Sequence, residues 1–80
     1  MVYRTKGTCS QAINVEAENG IVIKVQFVGG CAGNTAGIAK LVVGMKVDDV
    51  INRLEGTTCG PRPTSCPDQL AKALKQALAQ

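Results

Sequence analysis

The feature that most constrains this chain is the segment of residues 59–68, which contains all three prolines and two of the four cysteines, Cys59 and Cys66. Pro61 and Pro63 fix their own φ angles and disfavour helical conformations in the residues that precede them. The segment therefore neither continues a helix nor forms a central strand. It carries Cys59 along a stiff, irregular path, which is typical of a binding site.

The end of this segment predicts the start of a helix. Ser65 or Cys66 is expected to be the capping residue, with Pro67 in the first turn and Asp68 close behind. Cys66 then lies at the positive end of the helix dipole, which favours the thiolate form of its side chain. Because the thiolate is the form that binds metals and attacks electrophiles, Cys66 is a candidate functional residue.

The chain is 80 residues long and has one Phe, one Tyr and no Trp, so its core must be built from Ile, Val, Leu and Ala. We expect residues 1–80 to form one domain, close to the lower size at which a hydrophobic core alone is sufficient. Small side chains each bury little apolar area. A further source of stability is therefore expected, which could be a bound metal, disulfides or oligomerisation.

The sequence shows no sign of a secretion signal or a membrane span, because residues 1–6 turn polar at once and no run of about 18 apolar residues occurs. We therefore expect a cytoplasmic protein, in which thiols stay reduced and four cysteines indicate metal or redox chemistry.

The net charge is +3, and the nine basic residues are scattered along the chain. This pattern argues against a nucleic-acid surface, which needs a basic stripe and stacking aromatic residues.

Alternating apolar residues predict three antiparallel strands in the first third of the chain. Residues 2–6 form the first strand, and a hairpin follows across residues 13–27. A two-residue turn at Asn19 and Gly20 would place the two apolar faces on opposite sides of the sheet. We therefore expect a three-residue loop, residues 18–20, with a bulge at Gly20. The resulting pairs are Ala17 with Ile21, Val15 with Ile23, and Ile13 with Val25.

Three helices are predicted after the strands. The first covers residues 34–43 and ends at Gly44, the second covers residues 47–54 and ends at Gly56, and the third begins near Pro67. The core-facing residues of the third helix are Leu70, Ala71, Leu74, Ala77 and Leu78. Strands followed by helices indicate an α+β fold in the order β-β-β-α-α-α, with a three-stranded antiparallel sheet and helices packed on one face.

The four cysteines, Cys9, Cys31, Cys59 and Cys66, all fall in predicted loops or at helix starts. A cysteine kept for packing alone would more often lie within an apolar strand or helix stripe. If the loops that hold them converge, four thiolates in a chain without histidine suit tetrahedral zinc or an iron–sulfur cluster. Against this interpretation, no two cysteines have the spacing of two to four residues that is typical of zinc knuckles.

Three alternatives to a metal site remain open. Cys59 and Cys66 could form a redox-active dithiol, the four thiols could be ordinary structural residues, or the chain could be a dimerisation module that does not need its cysteines.

The glycine-rich residues 29–34 could bind an anion, but they match no phosphate-binding motif and more simply let Cys31 approach the other thiols. Arg62, between two prolines, is interpreted as a solvated loop residue. Without histidine, hydrolytic or acyl-transfer catalysis is not expected, and nothing indicates an enzyme acting on its own.

Residues 64–68 read T-S-C-P-D. Together with Gly7-Thr8-Cys9-Ser10, the glycine-rich residues 29–34 and Cys59-Gly60, they resemble the small, stand-alone four-cysteine members of the TSCPD-domain family, over nearly the whole chain. Larger relatives carry a similar domain at the C-terminus of cobalamin-dependent ribonucleotide reductases. The resemblance therefore implies a link to that metabolism, with a reductase or another protein as partner, although the radical site and cobalamin domain have no counterpart here.

A weaker resemblance, across residues 25–54, is to the U-type iron–sulfur scaffold proteins, in which Cys31 matches a scaffold cysteine. The scaffold's Asp near its first cysteine and its late His have no counterpart in this chain. Our prediction from the sequence is therefore a four-cysteine metal-binding accessory module. Zinc is the expected metal, an iron–sulfur cluster is the alternative, and a homodimer is compatible with both.

Overall fold

The computed structural model describes residues 1–7, 10–29, 32–58, 60–61 and 63–79. Strands β1, β2 and β3 span Val2–Arg4, Ser10–Glu18 and Ile21–Gly29, and helices α1, α2 and α3 span Ala32–Val42, Val47–Leu54 and Cys66–Leu78. The strands form one antiparallel sheet in the order β1-β2-β3. The predicted α+β fold and its β-β-β-α-α-α order are confirmed. Within these ranges, none of the helices has both the length and the hydrophobicity that spanning a bilayer requires.

Alternate residues of the strands form an apolar inner face of the sheet. Ile13 in β2 pairs with Tyr3 of β1 and with Phe27 of β3, and Val15 pairs with Val25. Ile13 and Val15 are fully buried, whereas the other three side chains are partly buried and pack against the same core. This face is the surface against which the helices lie.

The turn of the β2–β3 hairpin differs from our prediction. It has two residues, Asn19 and Gly20, whose φ angles are 54° and 77°. Positive φ at both positions is the requirement of a type I′ turn, which Asn-Gly meets readily. Glu18 therefore pairs directly with Ile21. The predicted three-residue loop is wrong.

A bulge in β3 explains how the hairpin keeps its apolar residues on one face. Ala17 pairs with Val22, but the next pair is Glu16 with Lys24, so Ile23 is an extra residue in β3. The extra residue shifts the alternation of side chains, so Val22 before it is fully buried and Ile23 itself is 47% exposed. The predicted pairs Ala17 with Ile21, Val15 with Ile23, and Ile13 with Val25 are therefore wrong.

All three helices contribute to one hydrophobic core on the inner face of the sheet. Their buried members are Val42 of α1, Val47, Val50 and Ile51 of α2, and Leu70, Ala73 and Leu74 of α3. The predicted face of α3 is correct at Leu70, Ala71 and Leu74, but Leu78 is half exposed and Ala73 is buried in addition. Because α3 packs against both α2 and β2, its buried stripe is wider than one helix face.

The link between α1 and α2 pairs with the start of β3. Val22 N–H donates to the carbonyl oxygen of Met45 at 2.9 Å, and Gly44 N–H donates to that of Val22 at 2.8 Å. Val47 N–H, at the start of α2, donates to the carbonyl oxygen of Gly20 at 2.8 Å. These bonds hold the start of α2 against the hairpin, and the helix in turn positions the loop that follows it, residues 55–58.

Candidate functional site

Of the four cysteines predicted to bind metal, Cys66 lies within the described residues, and Cys9, Cys31 and Cys59 lie outside them. Arg62, interpreted above as a solvated loop residue, also lies outside them. Cys66 is the first residue of α3 and is 8% exposed. The site is therefore described from Cys66 and from the segments that flank the other three cysteines.

Ser65 is the N-cap of α3, one of the two residues predicted for that position. Its backbone is extended, and its Oγ accepts a hydrogen bond from Asp68 N–H at 3.2 Å. The same hydroxyl donates to the carbonyl oxygen of Thr57 at 2.7 Å. Pro67 lies in the first turn, as predicted, where an intrahelical N–H is not needed. Ser65 thus caps the helix and also holds residues 55–58 against its start.

Asp68 is a buried carboxylate, 3% exposed, with three partners. Its Oδ1 accepts from Gly56 N–H at 2.8 Å, and its Oδ2 accepts from the hydroxyl of Thr64 and pairs with the Lys72 ammonium at 3.2 Å. Burial acts to raise the pKa of this carboxyl group, but the hydrogen bonds from Thr64 and Gly56 and the charge of Lys72 outweigh burial and lower the pKa below its ordinary value. Asp68 therefore stays charged and, through Gly56 N–H, holds residues 55–58 at the start of α3.

Gln69 extends these contacts to the segment before β2. It is buried, its Oε1 accepts from the backbone N–H of Lys6 at 3.1 Å, and its Nε2 donates to Thr64 Oγ1 at 2.9 Å. The Thr64 hydroxyl therefore joins Gln69 to Asp68. We call the side chains of Thr64, Asp68 and Gln69 the α3 polar network. Its hydrogen bonds hold residues 5–7 and residues 55–58 at the start of α3.

Gly7 lies against the methyl group of Thr64. Its φ angle is +75°, in the left-handed region that favours glycine. A Cβ atom at this position would lie 2.9 Å from the methyl carbon of Thr64. Glycine therefore lets the segment that leads to Cys9 lie directly against Thr64.

The buried polar side chains at the start of α3 hold chain segments together. Among the described residues, every buried side-chain nitrogen or oxygen has a hydrogen-bond partner, and no group of three or more His, Cys, Asp or Glu residues is placed to bind a metal ion. Both oxygens of Asp68 are occupied by protein partners. This carboxylate is accordingly a poor candidate for a metal ligand or a general base.

The sequence did not predict that Thr64, Gln69 and Gly7 hold segments together at the start of α3. It predicted Asp68 only as an acid in a first helical turn. A signal was present, because polar residues lie on both sides of Cys66 just before the apolar stripe of α3. Polar side chains that become buried at a helix start must find hydrogen-bond partners. The pattern does not identify those partners, since the backbone groups involved are distant in sequence.

A separate groove of about 500 Å³ lies between β3 and α1. Its lining includes Val25, Phe27, Thr35 and Lys40, and none of the residues of the α3 polar network. The candidate site is therefore assigned to the start of α3, where the buried polar contacts are concentrated.

Comparison with known families gives one result. A family model described as the TSCPD domain matches residues 1–78 of the 80-residue chain. The matched range includes the sheet, helices α1, α2 and α3, and the α3 polar network. No curated protein and no solved structure matches the chain.

Proposed function

The chain belongs to the TSCPD-domain family, and on that premise we propose that it is a metal-binding accessory module with one four-cysteine site. The proposed ligands are Cys9, Cys31, Cys59 and Cys66, and the proposed metal is zinc. The proposal places the module in the cytoplasm, as a single domain of residues 1–80, and assigns no catalytic step to this chain alone.

The observation that carries this proposal is the meeting of cysteine-flanking segments at the start of α3. Thr57 accepts a hydrogen bond from Ser65. Thr57 precedes Cys59 by two residues, and Ser65 precedes Cys66 by one. The hydrogen bond therefore joins the segment that leads to Cys59 to the segment that leads to Cys66.

The same reasoning applies to the other two cysteines. Lys6, three residues before Cys9, donates its backbone N–H to the α3 polar network. Ser10, next to Cys9 in the sequence, pairs with Gly29, which precedes Cys31 by two residues. The described neighbours of both cysteines therefore lie at the end of the sheet that residues 5–7 connect to the start of α3. This arrangement of the flanking segments supports a shared site.

The set of donor atoms supports zinc. Four cysteines and no histidine offer four thiolates, and sites with four cysteines are a common form of structural zinc. A bound metal would also stabilise a core that lacks large aromatic residues, because the free energy of metal binding adds to the free energy of folding. The residues of this chain therefore fit the proposed metal in both donor chemistry and energetics.

The test is elemental analysis of protein purified without an affinity tag, combined with a count of free thiols in denaturant with and without a chelator. We expect about one zinc per chain, as a closed four-thiolate site holds. The four thiols should react fully after chelation and be protected before it. Folded protein that contains no metal, or that has two thiols missing as a disulfide, would contradict the proposal.

The burial of Cys66 favours the metal site over the redox alternative, because reactive cysteines usually lie in partly exposed positions. An iron–sulfur cluster uses the same thiolate ligands, and iron and sulfide content would distinguish it from zinc. As partner we propose a ribonucleotide reductase or another protein, which rests on the family resemblance alone. Copurification of the untagged chain with such an enzyme is the observation that would support it.

A further inference from the structure

We propose that Thr64, Asp68 and Gln69 are positioning residues of the four-cysteine site, because the α3 polar network sets the relative positions of three segments, those that lead to Cys9, Cys59 and Cys66. The inference rests on the proposed function, since it concerns the geometry of the same site. It goes further by assigning part of the metal affinity to three side chains that are not proposed to bind the metal.

The contacts of the network are made to backbone groups close to the cysteines. Asp68 accepts from the N–H of Gly56, three residues before Cys59, at 2.8 Å. Gln69 accepts from the N–H of Lys6, three residues before Cys9, at 3.1 Å. A hydrogen bond to the backbone restrains the path of the main chain itself. The network therefore limits where the segments that lead to Cys59 and Cys9 can run.

The network is rigid enough for this role. Thr64, Asp68 and Gln69 are each less than a tenth exposed, and the Thr64 hydroxyl bonds to both of the other side chains. Hydrogen bonds to an ionised carboxylate are stronger than those between neutral groups. Because Asp68 and Gln69 lie in the first turns of α3, and Cys66 begins that helix, a displacement of the network also displaces the start of α3.

Residues that orient metal ligands without binding the metal are known to affect affinity, and their substitution typically lowers it about 10- to 100-fold. We expect a loss in this range for Asp68→Asn, which removes the charge that Gly56 N–H faces, and for Gln69→Leu, which removes the acceptor for Lys6 N–H. Thr64→Val removes the hydroxyl that joins Asp68 to Gln69 and should also lose affinity, whereas Thr64→Ser keeps that hydroxyl and should retain most of the affinity.

The experiment measures zinc affinity by competition with a chromophoric chelator, using folded full-length protein and zinc alone as the probe. Cobalt(II) is the spectroscopic substitute for zinc, and its absorption bands report the number of thiolate ligands. The matched control is Val15→Ala, a core substitution in β2 that lowers stability without touching the network. Its affinity should equal that of the wild type. If Asp68→Asn does not fold, the comparison of Thr64→Val with Thr64→Ser still decides the question.

The outcomes separate this inference from the proposed function. Wild-type protein that binds no zinc overturns both. Wild-type protein that binds zinc, with network variants of unchanged affinity, overturns the positioning role and leaves the four-cysteine site in place. An equal loss in Val15→Ala also overturns it, because the effect would then follow general stability. A loss confined to Asp68→Asn, Gln69→Leu and Thr64→Val, with the affinity retained in Thr64→Ser, supports it.

Discussion

At Asp68, burial and hydrogen bonding act in opposite directions on one carboxylate. Burial disfavours its charge, but the hydroxyl of Thr64, the N–H of Gly56 and the ammonium of Lys72 together lower its pKa below the ordinary value. A carboxyl group whose pKa is lower in the folded than in the unfolded protein stabilises the fold above the unfolded pKa, about 3.9 for Asp. That stabilisation disappears as the pH falls through the folded pKa.

The first prediction concerns the pH dependence of the stabilisation by Asp68. At pH 7, Asp68→Asn should lower the free energy of unfolding by about 1–3 kcal/mol, because the partners of a buried charged acceptor are left poorly matched. As the pH falls below about 4, wild type and variant should converge, since the wild-type carboxylate becomes protonated. Urea unfolding between pH 3 and pH 7 measures the difference.

The control for this prediction is Asp48→Asn, which removes an exposed carboxylate of α2 and should stay within about 0.5 kcal/mol of the wild type. Because Asp68→Asn is expected to bind zinc more weakly, all three proteins are compared with a chelator present, so that metal binding does not contribute to the difference. A difference between wild type and Asp68→Asn that stays constant down to pH 3 would show that the charge of Asp68 does not stabilise the fold.

The second prediction concerns Gly7. Gly7→Ala places a side chain on left-handed backbone, which costs about 1 kcal/mol or more, and adds a Cβ contact of 2.9 Å with Thr64. Thr64 cannot easily move away, because its hydroxyl is bonded to both Asp68 and Gln69. Gly20→Ala is the matched control, since its φ is +77° but no atom lies within 4 Å of the added Cβ. Thermal unfolding should show the larger loss for Gly7→Ala, and equal losses would mean that the contact with Thr64 is easily relieved.

At the scale of elements, α3 combines two different environments along one helix. Its first turn is held by polar contacts through the Ser65 cap, Asp68 and Gln69. Its middle is apolar and packs against α2 and β2. Because the same helix carries Cys66 and the core residues, packing of its middle positions the candidate site at its start.

The third prediction uses two leucines of this helix. Leu74 is fully buried and Leu78 is 50% exposed. Leu74→Ala should lower the free energy of unfolding by about 2–5 kcal/mol, because it leaves a cavity in the core. Leu78→Ala makes the same chemical change on the same helix and should cost less than about 1 kcal/mol. Chemical denaturation of both variants measures the difference, and similar losses would show that the end of α3 is buried in solution.

At the scale of the whole molecule, stability depends on a core made of small aliphatic side chains. The fully buried members with the largest side chains are Ile, Leu and Val residues, and the partly buried Tyr3 and Phe27 lie at the margin of the core. A domain of this length with such a core is close to the limit of independent stability. The proposed metal site would therefore supply a substantial share of the folding free energy.

The fourth prediction concerns the contribution of the proposed metal to the free energy of folding. Free zinc at 100 times its dissociation constant stabilises a folded protein by about 2.7 kcal/mol. For a domain of this size, such a change corresponds to a shift of roughly 10–20 °C in the midpoint of thermal unfolding. Adding a strong zinc chelator should lower the midpoint of the wild type by this amount and leave that of Cys66→Ser unchanged. Equal midpoints for the wild type with and without chelator would contradict a structural metal.

The pattern of residues was sufficient to predict the α+β fold, the order of its elements and the start of α3 at Ser65 or Cys66. These features depend on local chemistry, because turn residues, capping residues and apolar periodicity act over a few positions of the chain. The hairpin register was not predictable in the same way. The alternation of residues 13–27 argued for a longer turn, whereas the structure uses a two-residue turn and absorbs the mismatch in a bulge at Ile23.

The sequence by itself determined the candidate ligands, four cysteines without histidine, and the helix start with a serine cap and an acid behind it. The tertiary structure alone decided that the side chains of Asp68 and Gln69 accept hydrogen bonds from the backbone N–H groups of Gly56 and Lys6. The physical reason is the distance along the chain. A buried polar group must find a partner, but folding determines which remote backbone group is close enough to be that partner.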